Sequence, residues 1–373
     1  MTAFSTSPER GEERGFVLPV VLFVLAGLAL ILTATLRSFD LVAEELFVEQ
    51  RRLEQELEIK TVSARMGYLL GTQPRRQGHL AVGEPLIDKT AMFMAGQGMD
   101  VSFLGGASFL SEGGPEALFL DGRPYVLAVG GSRYAVRVQD ASGLLNPNIM
   151  TEEEVARLLA RQGLSPGEAN ALAATLLDYI DFDDEPRFGG LERFGYPEGE
   201  RPLDGPLPTR SALFDVPGWD RLPGPVRARL NEVLLPAGRM PKRNVNTAVP
   251  ENLFVNYGLE ESAVASAIAE RQKQPFNSLS DMATRIGAAV EGDPFVIHTA
   301  PSSLYRLQIE SLGGGPVYEA EIDLDPVNAK PVTIRPLGDW EGRRAANEDR
   351  ITREPEQVPP PPDAFAVRGW EPL

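Results

Sequence analysis

The chain has 373 residues, with 53 acidic against 36 basic side chains and a formal net charge of −17. So acidic a surface disfavours nucleic acids and anionic lipids as partners. Cysteine is absent, which excludes disulfides and thiol chemistry. Histidine occurs twice, at His79 and His298, so the sequence offers little for a catalytic triad or a histidine-rich metal site.

The first predicted element is an apolar helix near the N-terminus. Phe16 to Leu36 is a run of 21 residues without a charge, and Arg37 ends it. About 20 apolar residues in a helix cross the hydrocarbon core of a bilayer, so the run predicts a transmembrane segment. It is longer than the apolar region of a secretory signal peptide. An unprocessed signal anchor is an alternative interpretation of the same run.

The helix is predicted to continue beyond the apolar run. From Ser38 to Met66 there is neither glycine nor proline. Apolar residues recur there at roughly helical spacing among Glu, Gln and Arg, which is typical of an amphipathic helix. They are Leu41, Val42, Leu46, Phe47, Leu53, Leu57 and Val62. We therefore predict one transmembrane and amphipathic helix over 16–71, ending near Gly71.

The junction Arg14-Gly15-Phe16 resembles the cleavage site of a type IV prepilin. This resemblance implies a leader at 1–15, cleavage between Gly15 and Phe16 by a prepilin peptidase, and methylation of Phe16. The fifth residue after the cut is Val20, where most pilins and pseudopilins have Glu. Because an unpaired carboxylate is costly in lipid, a specialised subunit at a filament end would dispense with it. The alternative is that the chain is not a pilin.

The rest of the chain is predicted to be β, then α, then β. We place a first β part at 72–150, a helical block at 151–289, a second β part at 290–337, and a Pro-rich, disordered or extended tail at 338–373. A helical block that interrupts a sheet is most simply an insertion into one β domain. Three motifs that fit a capping box start helices in this block. They begin at Thr151, Ser165 and Ser278.

Several further motifs resemble the K-type minor pseudopilin of type II secretion systems. They are Asp140 to Asn148 (DASGLLNPN), Asp178 to Asp183 (DYIDFD) with Glu185-Pro186, then Gly190, Glu192 and Tyr196, then Asn244 to Ala248, and Pro275-Phe276. With the Arg-Gly-Phe junction and the absence of Glu at Val20, the resemblance covers about residues 12 to 337. The chain departs from the family pattern at Leu191 and at Asn146 to Ile149, which concerns the geometry of two loops.

The resemblance implies a fold class and a role. The fold would be α+β, with a pilin-like long N-terminal transmembrane helix packed on an antiparallel β-sheet and a large inserted helical domain of helix-hairpin-helix or SAM-like type. The role would be that of a non-enzymatic subunit at the tip of the type II secretion pseudopilus, initiating assembly and supporting protein export across the outer membrane. The protein would cross the inner membrane once, with a cytoplasmic N-terminus and a periplasmic head.

The same resemblance implies the partners. These would be the minor pseudopilins I and J in a tip complex, other pseudopilins, the prepilin peptidase and the inner-membrane assembly platform. Exported proteins are further candidates, and nucleic acid is not expected.

An acidic segment carries the candidate metal chemistry. Six carboxylates occur within fifteen residues, namely Asp178, Asp181, Asp183, Asp184, Glu185 and Glu192. Oxygen ligands at this density suit Ca²⁺, although the spacing is not that of an EF-hand. The residues by themselves favour a solvated acidic loop, whereas the resemblance implies calcium binding in this region. A catalytic pair of carboxylates is a further, disfavoured alternative.

The stretch from Asn244 to Met282 suggests a different class of function. Its pattern of short helix, Gly258-Leu259 and longer helix resembles the helix-hairpin-helix segments of DNA-uptake proteins. In those segments hairpin amides contact phosphates. Here Glu260 and Glu261 occupy the hairpin and would repel phosphate. A membrane-tethered DNA receptor is therefore the alternative to the pseudopilin interpretation.

Overall fold

In a computed structural model of the chain, the residues described are 17–82, 116–198, 201–235, 243–292, 297–325, 330–340 and 356–357. The chain divides into two compact units, Met1–Glu58 and Ile59–Leu373, and each is described by itself. The predicted processing residues, Gly15 and Phe16, lie outside the described residues.

The long helix predicted at the N-terminus is confirmed. Helix α1 spans Val17–Thr72, so it ends one residue beyond Gly71. It is the one helix among the described residues that is long and apolar enough to cross a membrane. In the first unit its apolar side chains are exposed, including those of Leu46, Phe47 and Leu53.

The second unit is built on a six-stranded sheet with the strand order β10-β9-β8-β5-β4-β11. Its first five strands are antiparallel to their neighbours. A three-stranded sheet, β1-β2-β3, and a two-stranded parallel pair, β6-β7, complete the strands. The strands are β1 Arg75–Arg76, β2 His79–Val82, β3 Glu116–Phe119, β4 Asp121–Val129, β5 Ser132–Asp140, β6 Arg243–Asn244, β7 Ile297–His298, β8 Leu304–Ser311, β9 Val317–Leu324, β10 Val332–Trp340 and β11 Glu356–Gln357.

The β4–β5 hairpin turns at two successive glycines. Gly130 and Gly131 have φ angles of 59° and 88°. A two-residue turn with two positive φ angles matches the twist of the flanking strands, and glycine adopts these angles without a steric penalty.

The C-terminal end of α1 packs on the main sheet within the second unit. Val62, Met66, Leu69 and Leu70 are buried in one core with strand residues such as Tyr134. Two glycines, four residues apart, let the helix approach strand β10. A Cβ at Gly67 would lie 3.2 Å from the side chains of Val332 and Ile334, and one at Gly71 would lie 2.9 Å from that of Val332. This is the helix-on-sheet packing expected of a pilin-like fold.

A helical block is inserted between two adjacent strands of the sheet. Strands β5 and β8 pair from Tyr134 opposite Ser311 to Asp140 opposite Tyr305. The chain between them therefore leaves the sheet and returns to the neighbouring position. Its helices are α2 Glu152–Arg161, α3 Pro166–Ile180, α4 Gly224–Val233, α5 Pro250–Tyr257, α6 Glu261–Lys273 and α7 Leu279–Ile286.

The helix starts follow the predicted capping motifs closely. Thr151 and Ser165 each form a complete capping box, with Glu154 and Glu168 as the reciprocal partners. At α7 the side chain of Ser278 caps the helix, but Asp281 accepts a hydrogen bond from the backbone N–H of Asn277 instead. The third motif therefore supplies the predicted cap, but the reciprocal hydrogen bond is donated by Asn277 rather than by Ser278.

Parts of the block differ from the prediction. Among the described residues between α3 and α4 there are loops and 3₁₀ turns but no α-helix. Proline removes backbone donors and disfavours helical backbone in the residue before it. Six prolines explain this difference: Pro186, Pro197, Pro202, Pro206, Pro208 and Pro217. Strand β7, which was assigned to the second β part, pairs with β6 of the helical block rather than with the main sheet.

The prediction of a disordered tail from 338 is wrong for its described residues. Strand β10 extends to Trp340, and β11 pairs in parallel with β4 at Tyr125 and Val126. The main sheet is therefore not wholly antiparallel. Backbone pairing at the unoccupied edge of β4 accounts for this addition, because an edge strand offers free N–H and C=O groups.

A buried carboxylate joins the inserted block to the sheet. Asp140, the last residue of β5, is 0% exposed. One oxygen accepts from the backbone N–H groups of Ser142 and Ser302 and from the Ser302 hydroxyl. The other accepts from the hydroxyls of Ser142 and Thr247 and from the Asn244 amide. These donors come from the exit of the block, its middle and its return to β8.

A second polar contact reinforces this junction. Glu319, a buried residue of β9, receives two hydrogen bonds from Arg210 of the inserted block, at 3.0 and 2.7 Å. Arg306 of β8 is also buried and donates to the carbonyls of Glu232 and Leu234 at the end of α4. The block is thus fixed to the sheet by charged groups whose hydrogen bonds are made within the protein.

We predict that Asp140→Asn strongly destabilises the second unit. The amide group would put a donor where three donors already converge, so at least one buried donor loses its partner. We expect a loss of at least about 2 kcal/mol in the free energy of unfolding. Urea unfolding of the full chain in detergent, followed by the fluorescence of buried Trp219, measures it.

The matched control is Asp220→Asn, which makes the same chemical change at an exposed carboxylate. It should alter the free energy of unfolding by less than about 0.5 kcal/mol. Equal stability of the two variants would show that Asp140 does not hold the junction.

Candidate carboxylate site

The acidic segment begins at the end of helix α3. Asp178 lies in the last turn of this helix and is buried, and Asp181 is the C-cap residue. The chain then forms an irregular loop up to the 3₁₀ turn Arg193–Gly195, which Glu192 precedes. Glu192 is also buried, with 4% of its surface exposed.

Three of the six predicted ligands come together. Asp178, Asp181 and Glu192 each offer a carboxylate oxygen, and these atoms lie within 4.8 Å of one another. The other three, Asp183, Asp184 and Glu185, are exposed and stand outside this group. Asp183 accepts a hydrogen bond from the backbone N–H of Glu185 at 2.9 Å, which is a local turn contact. The calcium assignment itself stays a prediction.

Arg187 partly neutralises the site. Its guanidinium donates to Asp178 at 2.7 Å and to Asp181 at 2.5 Å, and its backbone N–H also points to Asp178. Burial lowers the pKa of Arg187, but the hydrogen bonds to Asp181 and Asp178 outweigh that effect and the net shift is upward. Three carboxylates thus face one cation, so negative charge remains uncompensated.

The uncompensated charge is concentrated at Glu192. Both of its carboxylate oxygens are buried without a hydrogen-bond partner, and so is the Oδ1 atom of Asp181. Burial raises the pKa of Glu192, the charges of Asp178 and Asp181 raise it further, and the nearby backbone N–H of Arg193 offsets this only in part. A buried carboxylate without a partner is expensive, so a positively charged ligand would stabilise these oxygens. The donor set, all carboxylate oxygen, fits a hard divalent cation such as Ca²⁺.

Tyr196 and Gly190, two of the residues that carry the family resemblance, lie beside the carboxylate cluster. The Tyr196 hydroxyl is buried without a partner beside the cluster. Burial, with the nearby Tyr179 and Glu192, raises the pKa of Tyr196 to about 12. Gly190 allows the loop to approach α3, because a Cβ there would lie 2.0 Å from Asp178 Oδ2. Their spacing in the sequence does not reveal either contact.

The helix-hairpin-helix segment forms as its pattern predicts. Helix α5 ends at Gly258 in the left-handed conformation, and α6 begins at Glu261. Glu261 is paired with Arg161 of α2 through both carboxylate oxygens. The hairpin therefore uses its charge in a contact within the helical block.

The fold and the site define a class of protein: an α+β protein with a long apolar N-terminal helix, a sheet that packs on the end of that helix, and an inserted helical block with a carboxylate cluster. Residues 137–223 match the family model described as "Type II secretion system (T2SS), protein K". This match includes the whole carboxylate cluster and agrees with the resemblance that the sequence motifs carry.

One solved structure is similar, with 14% identity and a TM-score of 0.41 over 68% of this chain and 95% of the other. It is described as the crystal structure of the GspK-GspI-GspJ complex from the enterotoxigenic Escherichia coli type 2 secretion system. No curated protein matches the chain by sequence.

We predict a pH-dependent penalty at Glu192 when divalent cations are removed. Because its folded-state pKa is raised above the ordinary value of 4.5, the native state holds the proton to higher pH than the unfolded state does. The free energy of unfolding therefore falls as the pH rises from about 4.5 through the raised pKa. In chelator at pH 7, Glu192→Gln should be more stable than the natural chain, and the difference should vanish below pH 4.5.

The control is Glu198→Gln, an exposed carboxylate on the same loop, which should leave stability unchanged at both pH values. Urea unfolding of the full chain in detergent gives all the required free energies. A Glu192→Gln variant that is less stable than the natural chain in chelator at pH 7 would contradict the analysis.

Proposed function

We propose that the protein is a non-enzymatic minor pseudopilin at the tip of the type II secretion pseudopilus, where it initiates assembly and supports protein export across the outer membrane. The observation that carries this proposal is the family match over residues 137–223. The N-terminal helix, long and apolar enough to cross a membrane, agrees with it. The matched family is a structural component of a secretion system.

The proposal includes a membrane location and a processing event. The head would face the periplasm and the N-terminus the cytoplasm, with α1 in the inner membrane. Prepilin peptidase would cut between Gly15 and Phe16, and Phe16 would be methylated. The Arg14-Gly15-Phe16 junction beside an uncharged run of 21 residues supports this.

We further propose that the minor pseudopilins I and J are the direct partners, with other pseudopilins and the inner-membrane assembly platform beyond them. The GspK of the similar solved structure is in complex with GspI and GspJ. In this chain, α1 carries exposed apolar side chains at Leu46, Phe47 and Leu53, which can pack against partner helices.

The DNA-receptor alternative has no support from the comparisons. The chain carries a net charge of −17, and Glu260 and Glu261 lie at the hairpin that would face phosphates. Phosphate neutralisation by Lys and Arg dominates non-specific DNA affinity, and this surface opposes it.

We expect the full chain, coexpressed with pseudopilins I and J and extracted in detergent, to elute with both in one complex. Leu53→Gln should reduce the amount of complex, because it removes an exposed apolar contact on α1. Glu49→Gln places the same side chain on the same helix without removing apolar surface, and it should have no effect. Light scattering on the size-exclusion column measures the assembly.

A gel shift with duplex DNA at physiological salt completes this test, and no shift is expected. Micromolar DNA binding without a pseudopilin complex would favour the receptor alternative over the proposed function.

We also propose that the carboxylate cluster holds a structural Ca²⁺ ion. Asp178, Asp181 and Glu192 would be the protein carboxylates nearest the ion. The unpartnered oxygens of Glu192 and Asp181 support this, since a divalent cation would compensate charge that Arg187 leaves unbalanced. Arg187 would compete with the ion for Asp178 and Asp181. The bound ion would join the end of α3 to the loop that follows.

We predict that Ca²⁺ raises the melting temperature of the full chain in detergent, because a ligand of the native state stabilises it by mass action, by about 2.7 kcal/mol at a concentration of 100 Kd. Asp181→Asn should lose most of this gain. Asp183→Asn makes the same change two residues away at an exposed carboxylate outside the cluster, and it should keep the gain. Melting curves in chelator and in millimolar Ca²⁺ compare the three proteins.

Identical melting curves of the natural chain in the two conditions would favour the solvated-loop interpretation. Equal losses in Asp181→Asn and Asp183→Asn would place the ion elsewhere on the loop.

A further inference from the structure

The loop around the carboxylate cluster exposes three phenylalanines. Phe182, Phe188 and Phe194 are 83%, 102% and 90% exposed. Burial of an aromatic side chain stabilises a folded protein, yet three phenylalanines within thirteen residues are left exposed here. Among the described residues of the second unit, large exposed apolar side chains are few, and four of the six lie between 182 and 203. They are Phe182, Phe188, Phe194, Leu203, Leu312 and Leu337.

The backbones of the three phenylalanines adjoin residues that form the cluster or bind it. Phe182 follows Asp181, and Phe188 follows Arg187, which donates to Asp178 and Asp181. Phe194 is two residues beyond Glu192. Consecutive Cα atoms are about 3.8 Å apart, so the Phe182 and Phe194 backbones lie within about 8 Å of a residue of the cluster, and the Phe188 backbone lies next to Arg187, which binds the cluster. The carboxylates of that cluster are within 4.8 Å of one another.

Leu203 extends the same surface. The Leu203 backbone N–H donates to the carbonyl of Tyr179 at the end of α3. The ring of Phe182 approaches the neighbouring turn, since a Cβ at Gly205 would lie 3.9 Å from it. We call Phe182, Phe188, Phe194 and Leu203 the aromatic loop surface. Exposed apolar groups concentrated in one place, with polar groups around them, are typical of interaction sites.

The surrounding charge is strongly acidic. Residues 181–198 contain six acidic and two basic side chains. Among the described residues, Asp183, Asp184, Glu185 and Glu198 are exposed and form no ion pair. Arg187, one of the two basic groups, is already engaged by Asp178 and Asp181. The aromatic loop surface therefore has a rim of free negative charge.

The acidic rim discriminates among the partners that could bind the aromatic loop surface. An anionic lipid surface would be repelled by the exposed carboxylates. A second copy of the chain would bring the same acidic rim against itself in a two-fold contact. A different protein with an apolar patch rimmed by Lys or Arg satisfies both the phenylalanines and the carboxylates.

We propose that the aromatic loop surface is a docking site for another protein, one that presents an apolar patch with a basic rim. The proposal rests on the proposed function, which places the loop in the periplasm and makes protein export the measured effect. The carboxylate cluster fixes the three phenylalanine backbones, so the surface is preorganised for binding. The exposed carboxylates outside the cluster, at 183 to 185, steer the partner and are not needed to hold the loop.

The test replaces the natural gene, at its own locus, with variants of the full chain. One variant replaces all three phenylalanines by serine (Phe182→Ser, Phe188→Ser and Phe194→Ser). It should reduce export of the secreted proteins at least tenfold. The complex with pseudopilins I and J and the melting temperature should be unchanged. The control is Leu312→Ser with Leu337→Ser, which removes exposed apolar side chains elsewhere in the second unit and should leave export unchanged.

A photo-crosslinker identifies the occupant. With p-benzoylphenylalanine in place of Phe188, illumination of whole cells should give one discrete product with a different protein, through a peptide that carries apolar and basic residues. Asp183→Asn with Asp184→Asn and Glu185→Gln should reduce this product at least fivefold. If the triple serine variant does not fold, Phe188→Ser alone, at the most exposed position, replaces it.

Crosslinks to lipid, to a second copy of the chain or to nothing would overturn the docking proposal. Undiminished export by the triple serine variant would also overturn the docking proposal, but it would leave the proposed function intact. The proposed function itself fails separately, if the natural gene does not restore export to a strain from which it was deleted.

Discussion

A single buried carboxylate holds the two parts of the second unit together. Asp140 ends the strand from which the inserted block departs, and Ser302, just before the strand to which the chain returns, donates to it twice. Asn244 and Thr247 bind it from the middle of the block. All six donors are neutral, so the charge is spread over hydrogen bonds rather than matched by a cation. Such a network is stable only when every donor is in place, which makes the junction specific.

In the carboxylate cluster, by contrast, the negative charge is not fully compensated. Here the negative charges outnumber the one cation that reaches them, and both oxygens of Glu192 are left without partners. Asp140 needs nothing from outside because its environment is complete. The negative charge of the cluster is not balanced by the protein, and this is the physical reason why a divalent ion is proposed there and not at the junction.

The long apolar helix and the exposed groups of the inserted block have different roles in this chain. The apolar run of α1 is long enough to cross a membrane, and the end of the same helix serves as the backing of the sheet through Val62 and Met66. The inserted block adds side chains that the sheet itself does not supply, including the carboxylates and the exposed phenylalanines of one loop. The proposed function would use both, a helix for assembly and a head that meets other proteins.

Patterns local in the sequence predicted local structure well. The uncharged run and the helical spacing after it gave α1 to within a residue of its end, and the motifs at Thr151 and Ser165 gave complete capping boxes. The insertion was also predictable, because helical signals interrupt two groups of strand signals. The misses came where proline prevented helices between α3 and α4, and where a distant segment, β11, paired with a sheet edge.

The sequence by itself determined the long apolar helix, the order of elements and the segment in which the carboxylates cluster, because charge, apolar periodicity and capping act over a few residues. The tertiary structure alone decided which carboxylates meet. Asp178, Asp181 and Glu192 converge while Asp183 to Glu185 stay in solvent, since the path of the loop across α3 depends on the close approach at Gly190. The tertiary structure alone also decided that Phe188 is exposed. Whether a side chain is covered depends on packing between segments distant in the chain, and residue spacing does not encode it.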